Sequence, residues 1–89
     1  MDTKQTIGWN LRRLRVERGL SQERLALEAG IDRSYVGRVE RGEENVTVAT
    51  LEAFALVLSV GIAALFEEIS PHEGKPKPLR SGRKPKGRN

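Results

Sequence analysis

Apolar residues recur along this chain at the three-to-four-residue spacing of helices, and short polar or glycine-containing breaks separate the runs. Ile7, Leu11 and Leu14, with Arg18 continuing the row, follow the i, i+4, i+7 rhythm of a first helix spanning Lys4 to Arg18, and Gly19 suits the left-handed cap at its end. Ser21 offers a hydroxyl as N-cap of a second helix. In that helix Leu25 and Ala29 lie one turn apart, and Ala26 is small enough to let another helix approach. Gly30 closes it, Asp32 caps a third helix, and Thr47 caps a fourth with Leu51, Ala55 and Leu58 on one stripe. A fifth, short helix is predicted from Ile62 to Glu68, stopped by Pro71. The pattern predicts an all-α, compact five-helix fold.

Five helices in 89 residues make one domain with one small core, which dimerisation commonly supplements. The least polar run, Phe54 to Phe66, contains Ser59 and Gly61 and is shorter than the roughly 20 residues of a membrane span, so it suits core and interface. No basic segment leads into an apolar one, so no secretory signal is read and a cytoplasmic protein is expected. The absence of cysteine removes disulfides and thiolate zinc sites. His72, beside Glu73, has no second ligand at metal spacing, so no metal or other cofactor is expected. No serine, lysine or carboxylate grouping stands at catalytic spacing, and an enzyme is not expected.

Charge divides the chain. Its net charge is +4, but the segment from Ser70 onward carries +6 and residues 1–69 carry −2. The folded part, 1–69, is therefore not uniformly basic, and any affinity for an anionic partner there must come from locally placed cations. Residues 70–89, with Pro71, Pro76, Pro78 and Pro85 among lysines, arginines and glycines, cannot bury enough apolar surface to offset chain entropy. A disordered basic tail is expected. Its segment Gly82-Arg83-Lys84-Pro85-Lys86-Gly87-Arg88 is loosely similar to an AT-hook but departs from that motif's Gly-Arg-Pro core. A nonspecific phosphate clamp and a merely solvated tail are the competing readings.

The stretch Leu20 to Gly42 carries the most specific chemistry: two short helices joined by a glycine turn, the layout of a helix-turn-helix that reads duplex DNA. On a wheel of about 100° per residue, Val36, Val39 and Glu40 fall on one side of the third helix and Ser34, Gly37, Arg38 and Arg41 on the other, with Arg33 at the edge of the polar side. Arginine can donate two hydrogen bonds to guanine in the major groove, so Arg33 and Arg38 are the main candidates for base reading, joined by Ser34 and by Gly37. Gly37 admits two explanations, close approach to the groove floor or a packing constraint. Tyr35, at the flank, either stacks on sugar and phosphate or covers the edge of the core, and Trp9 is expected to pack the first helix. Ser21, Tyr35 and Asn45 are candidate phosphate contacts.

Leu20-Ser21-Gln22, Leu25-Ala26, Ala29-Gly30-Ile31, Ser34-Tyr35-Val36, Val39-Glu40-Arg41-Gly42 and Asn45-Val46-Thr47 together resemble the Cro/C1-type, or Xre, family of helix-turn-helix regulators over residues 7 to 66. The resemblance implies a lambda-repressor-like fold. It also implies that Gln22 touches the phosphate backbone while bracing a side chain of the recognition helix, that Arg41 meets phosphate, and that Arg15 pairs with Glu40. The wheel agrees with the last of these, since it turns Glu40 inward, where an unpaired carboxylate is costly.

A dimer is expected on geometric grounds as well, because one recognition helix touches few base pairs while two copies about 34 Å apart read an inverted repeat. Val57, Val60, Ile62, Leu65 and Phe66 are the expected two-fold contact. The resulting expectation is a dimeric, sequence-specific transcriptional regulator, nucleoid-associated, that excludes or recruits RNA polymerase. It is similar in size to controller proteins of restriction-modification systems. The rivals are an antitoxin that couples DNA binding to a toxin partner, and a protein-interaction module whose tail binds nucleic acid nonspecifically.

Overall fold

Each of the four α-helices among the described residues begins at an oxygen-bearing side chain and is followed by a left-handed residue. The computed structural model describes residues 2–69, which form α1 (Thr3–Glu17), α2 (Gln22–Ala29), α3 (Arg33–Glu40), α4 (Val48–Leu58) and a short 3-10 helix (Ile62–Phe66). Asp2, Ser21, Asp32 and Thr47 each accept a hydrogen bond from a backbone N–H of the first turn, and Asp2 forms a reciprocal capping box with Gln5. At the other ends Gly19, Gly30, Gly42 and Ser59 turn left-handed, and the next residue donates back to a carbonyl of the last helical turn: Leu20 to Arg15, Ile31 to Ala26, Glu43 to Arg38 and Val60 to Ala55. Three of these positions hold the residue with no Cβ penalty; the fourth, Ser59, does not.

Ile7, Leu11 and Leu14 of α1, Leu25 and Ala26 of α2, Val36 and Val39 of α3, and Leu51, Phe54 and Leu58 of α4 bury against one another, with Leu65 of the 3-10 helix closing the cluster. Phe54 is fully enclosed. A side chain of that size contributes about 1.5–3 kcal/mol on burial.

The predicted fifth α-helix is a 3-10 helix that ends at Phe66, not Glu68. Asn10 supplies the reason. It is buried on the apolar stripe of α1, and its Nδ2 lies 3.2 Å from the carbonyl oxygen of Leu65 and 2.9 Å from that of Glu67, as well as 3.0 Å from that of Thr6. Those carbonyls are bound to α1 instead of to a following helical turn, and the backbone leaves the helix extended at Glu67. Arg13 donates to Asn10 Oδ1 and to Glu67, completing the junction.

α1 and α3 cross at Gly8. An ideal Cβ there would stand 2.4 Å from the Val39 carbonyl oxygen and 2.7 Å from that of Glu40, so the two backbones touch directly. This contact seats the end of α3 against α1 and presents α3's opposite face outward. Pro71 and the tail expectations lie outside the described residues.

Candidate nucleic-acid interface

α2 and α3 are joined by Gly30, Ile31 and Asp32, and the turn sets the start of α2 beside the outer face of α3. Gln22, Asp32, Arg33, Ser34, Gly37 and Arg41 line one open concavity there. Arg33 and Ser34 are exposed at the first turn of α3, and among the described residues no carboxylate forms an ion pair with Arg33. Ser34 donates both its N–H and its hydroxyl to the Asp32 carboxylate, and these bonds hold that carboxyl below its ordinary pKa. The hydroxyl proton of Ser34 is thereby committed, and toward any further group its oxygen can only accept.

Gly37 is buried, not bare groove-facing surface. A Cβ there would meet Arg41 Nη1 at 3.2 Å and Gln22 Oε1 at 3.7 Å, both ends of side chains. The glycine thus leaves room for Arg41 and Gln22 to lie across the helix. Tyr35 is half-buried and packs against the core with its ring beside Arg38, whose guanidinium carbon is 5.7 Å from the ring centroid.

Arg15, Glu40 and Gln22 meet beneath this face. Arg15 donates Nε to Glu40 Oε2 at 2.7 Å and Nη2 to Oε1 at 3.1 Å, and its Nη1 reaches the Leu20 carbonyl at 2.8 Å. The Glu40 side chain is 5% exposed and that of Arg15 12%. Gln22 donates Nε2 to Glu40 Oε1 at 3.0 Å. One carboxylate therefore ties together the end of α1, the start of α2 and the end of α3. A fork-to-fork pair of this kind, with Gln22 as a third donor on Oε1, satisfies a charge that is expensive to bury alone.

The loop after α3 supplies two carboxylates that sequence reasoning missed. Glu44 accepts from Arg38 Nε at 2.6 Å, and Glu43 from Arg41 Nε at 3.2 Å. The Glu44 bond raises the pKa of Arg38 further above its ordinary value. Neither pairing follows a helical spacing rule; the run Gly42-Glu43-Glu44 after an arginine pair was the available signal. Ser21 and Asn45 are exposed, and the Ser21 hydroxyl oxygen accepts the Arg24 N–H as a cap.

At the end of α4 and in the 3-10 helix, Val57, Val60 and Ile62 are half-buried and Phe66 is exposed. Leu65 does not belong with them. It is fully buried, its side chain filling the gap between α1 and α4, and cannot meet a second chain without leaving the core. Leu56, 81% exposed, is the large apolar side chain on this segment that the sequence reading passed over. Among the described residues no group of metal-ligating side chains gathers, and no helix is long and apolar enough to cross a membrane.

The helix-turn-helix family profile (HTH_3) matches residues 11–65. The control protein C.SmaI of Serratia marcescens is 43% identical over 65 residues, which cover 73% of this chain and 77% of the relative. The restriction-modification controller protein C.AhdI from Aeromonas hydrophila superposes with a TM-score of 0.69 at 46% identity, covering 71% of this chain and 96% of that one. SinR of Bacillus subtilis, the master regulator for biofilm formation, solved in complex with DNA, superposes at 0.66 with 34% identity, covering 68% and 98%. With the profile spanning more than half of its length, this chain is a member of the helix-turn-helix family of Cro/C1-type transcriptional regulators, DNA-binding proteins and not enzymes.

Proposed function

We propose that this protein binds an inverted-repeat operator as a homodimer in the cytoplasm, at the nucleoid, and regulates transcription by occupying that site. The observation that carries the reading is the concavity at the junction of α2 and α3, where Gln22, Arg33, Ser34, Gly37 and Arg41 converge on one open face. Arg33, Ser34 and Arg38 read base edges, while Ser21, Gln22, Tyr35, Arg41 and Asn45 hold phosphates, Gly37 leaving room for Gln22 and Arg41 to lie across α3. Val57, Val60, Ile62 and Phe66, with Leu56 beside them, form the two-fold contact. Similarity to C.SmaI and C.AhdI favours a controller of a restriction-modification operon, which a neighbouring methyltransferase and endonuclease would identify.

Random-duplex selection with the full-length protein and a version ending at Ile69, at about 150 mM salt where nonspecific phosphate binding is weakened, tests the reading. Enrichment of one inverted repeat by both proteins is expected. Recovery of unrelated sequences by the full-length protein and nothing by the shortened one would place DNA binding in the tail and refute it. Sedimentation that finds a monomer, with and without the selected duplex, would remove the dimer.

A further inference from the structure

Arg38 differs from the other arginines of the outer face in how it is held. Its side chain is bounded on one side by the Tyr35 ring and on another by Glu44, which takes its Nε–H at 2.6 Å. The Glu44 side chain is 26% exposed, half the 52% of Glu43 in the neighbouring pair with Arg41. The loop geometry explains why Glu44 arrives there. Gly42, with φ of 76°, reverses the chain at the end of α3, and the next N–H, that of Glu43, bonds to the carbonyl of Arg38 itself at 2.9 Å. The residue that follows is thus returned over the side chain of Arg38.

We propose that Glu44 is a specificity-determining positioning residue: it grips Arg38 by Nε so that the guanidinium presents its two Nη groups, end-on, to a guanine in the operator. The inference rests on the reading of α3 as the base-reading helix. A guanidinium fork fixed at Nε retains the Nη1–Nη2 edge, whose spacing matches guanine O6 and N7, and a side chain already ordered loses less rotamer freedom on binding. Glu44 also sets a negative charge beside the phosphates, which weakens binding to every duplex alike. The residue therefore lowers affinity for arbitrary DNA while sharpening the choice of base. Glu43, in the more exposed pair, does only the first.

The two effects separate with two variants of equal charge. Glu44→Ala removes both the charge and the acceptor; Glu44→Gln removes the charge and keeps an oxygen for Nε. The probes are the duplex recovered by selection with the wild-type full chain, the same duplex with each guanine replaced in turn, and an unrelated duplex. Arg38→Ala identifies the guanine it reads, where wild-type discrimination is expected to be on the order of tenfold or more. Both Glu44 variants and Glu43→Gln should bind the unrelated duplex more tightly. Glu44→Ala alone should lose most of the discrimination at the Arg38 guanine, and Glu44→Gln should retain most of it. Unchanged discrimination in Glu44→Ala, or equal loss in both Glu44 variants, overturns the inference alone. A duplex preference that Arg38→Ala leaves unchanged overturns it together with the assignment of Arg38 as a base contact.

Discussion

Helix propensity and packing make opposite predictions for Gly8→Ala, and the structure decides between them. In an isolated helix the change stabilises by about 1 kcal/mol, because glycine loses the most backbone freedom on folding. Here the added Cβ would lie 2.4 Å from the Val39 carbonyl oxygen, 2.7 Å from that of Glu40 and 2.9 Å from the Glu40 carbonyl carbon. Carbon–oxygen contacts relax at roughly 3.3 Å, so the end of α3 must withdraw from α1 by close to 1 Å. All three neighbours are backbone, and no rotamer change relieves them. Overpacking of this kind costs about 1–3 kcal/mol and more where the backbone must move. The withdrawal also stretches the fork between Arg15 and Glu40, which ties the end of α3 to α1. With the cost at the upper end of that range, the expected net loss is about 2 kcal/mol after the propensity gain, or a fall in Tm of roughly 8–16 °C for a domain of this size. Thermal and urea unfolding followed by far-UV circular dichroism would measure it. Gly61→Ala is the control, since a Cβ there meets nothing within 4 Å, and its Tm should be unchanged or slightly higher. A Gly8→Ala protein as stable as the parent would refute the direct backbone crossing.

Three further outcomes are expected. Glu40→Ala leaves Arg15 without its partner and should cost about 3–5 kcal/mol in urea unfolding, whereas Arg15→Met combined with Glu40→Leu should recover most of that loss; a double variant no better than Glu40→Ala would argue against a charge left unpaired. Ser59→Gly should raise stability by about 1 kcal/mol, because Ser59 holds φ of 59° where an L side chain is strained, and a lower Tm would count against that strain. Asp32 titrates below its ordinary value in the folded protein, first through the Ser34 hydroxyl and then the Ser34 N–H, so its contribution is present above about pH 4 and is lost as pH falls through the depressed value. Asp32→Asn should therefore flatten the acid limb of stability against pH below about pH 4 and leave its slope near neutrality unchanged.

The parts of this fold that were legible in the chain are those whose causes lie within one helical turn. Ser21, Asp32 and Thr47 cap the helices they were assigned to because an N-cap reaches only two or three residues, and Ile7, Leu11 and Leu14 bury together because a 3.6-residue period aligns them. What escaped depends on contacts distant in sequence. Gly8 has no side chain to join a pattern, and its meaning comes from a carbonyl 31 residues away. Asn10 breaks the apolar stripe of α1, a visible sign, but its acceptors at Leu65 and Glu67 lie 55 and 57 residues on. Leu65 was assigned to the surface and Leu56 passed over because the segment from α4 to the 3-10 helix is apolar on most faces, so its pattern does not say which face turns inward. The outer face follows the same division. The identities of Arg33, Ser34, Arg38 and Arg41 could be read from one wheel, yet the restraint on Arg38 comes from Glu44 through the left-handed turn at Gly42. Local pattern names the groups that face outward; the returning loops determine how tightly each is held, and in a base-reading helix that restraint is what turns a cation into a discriminating one.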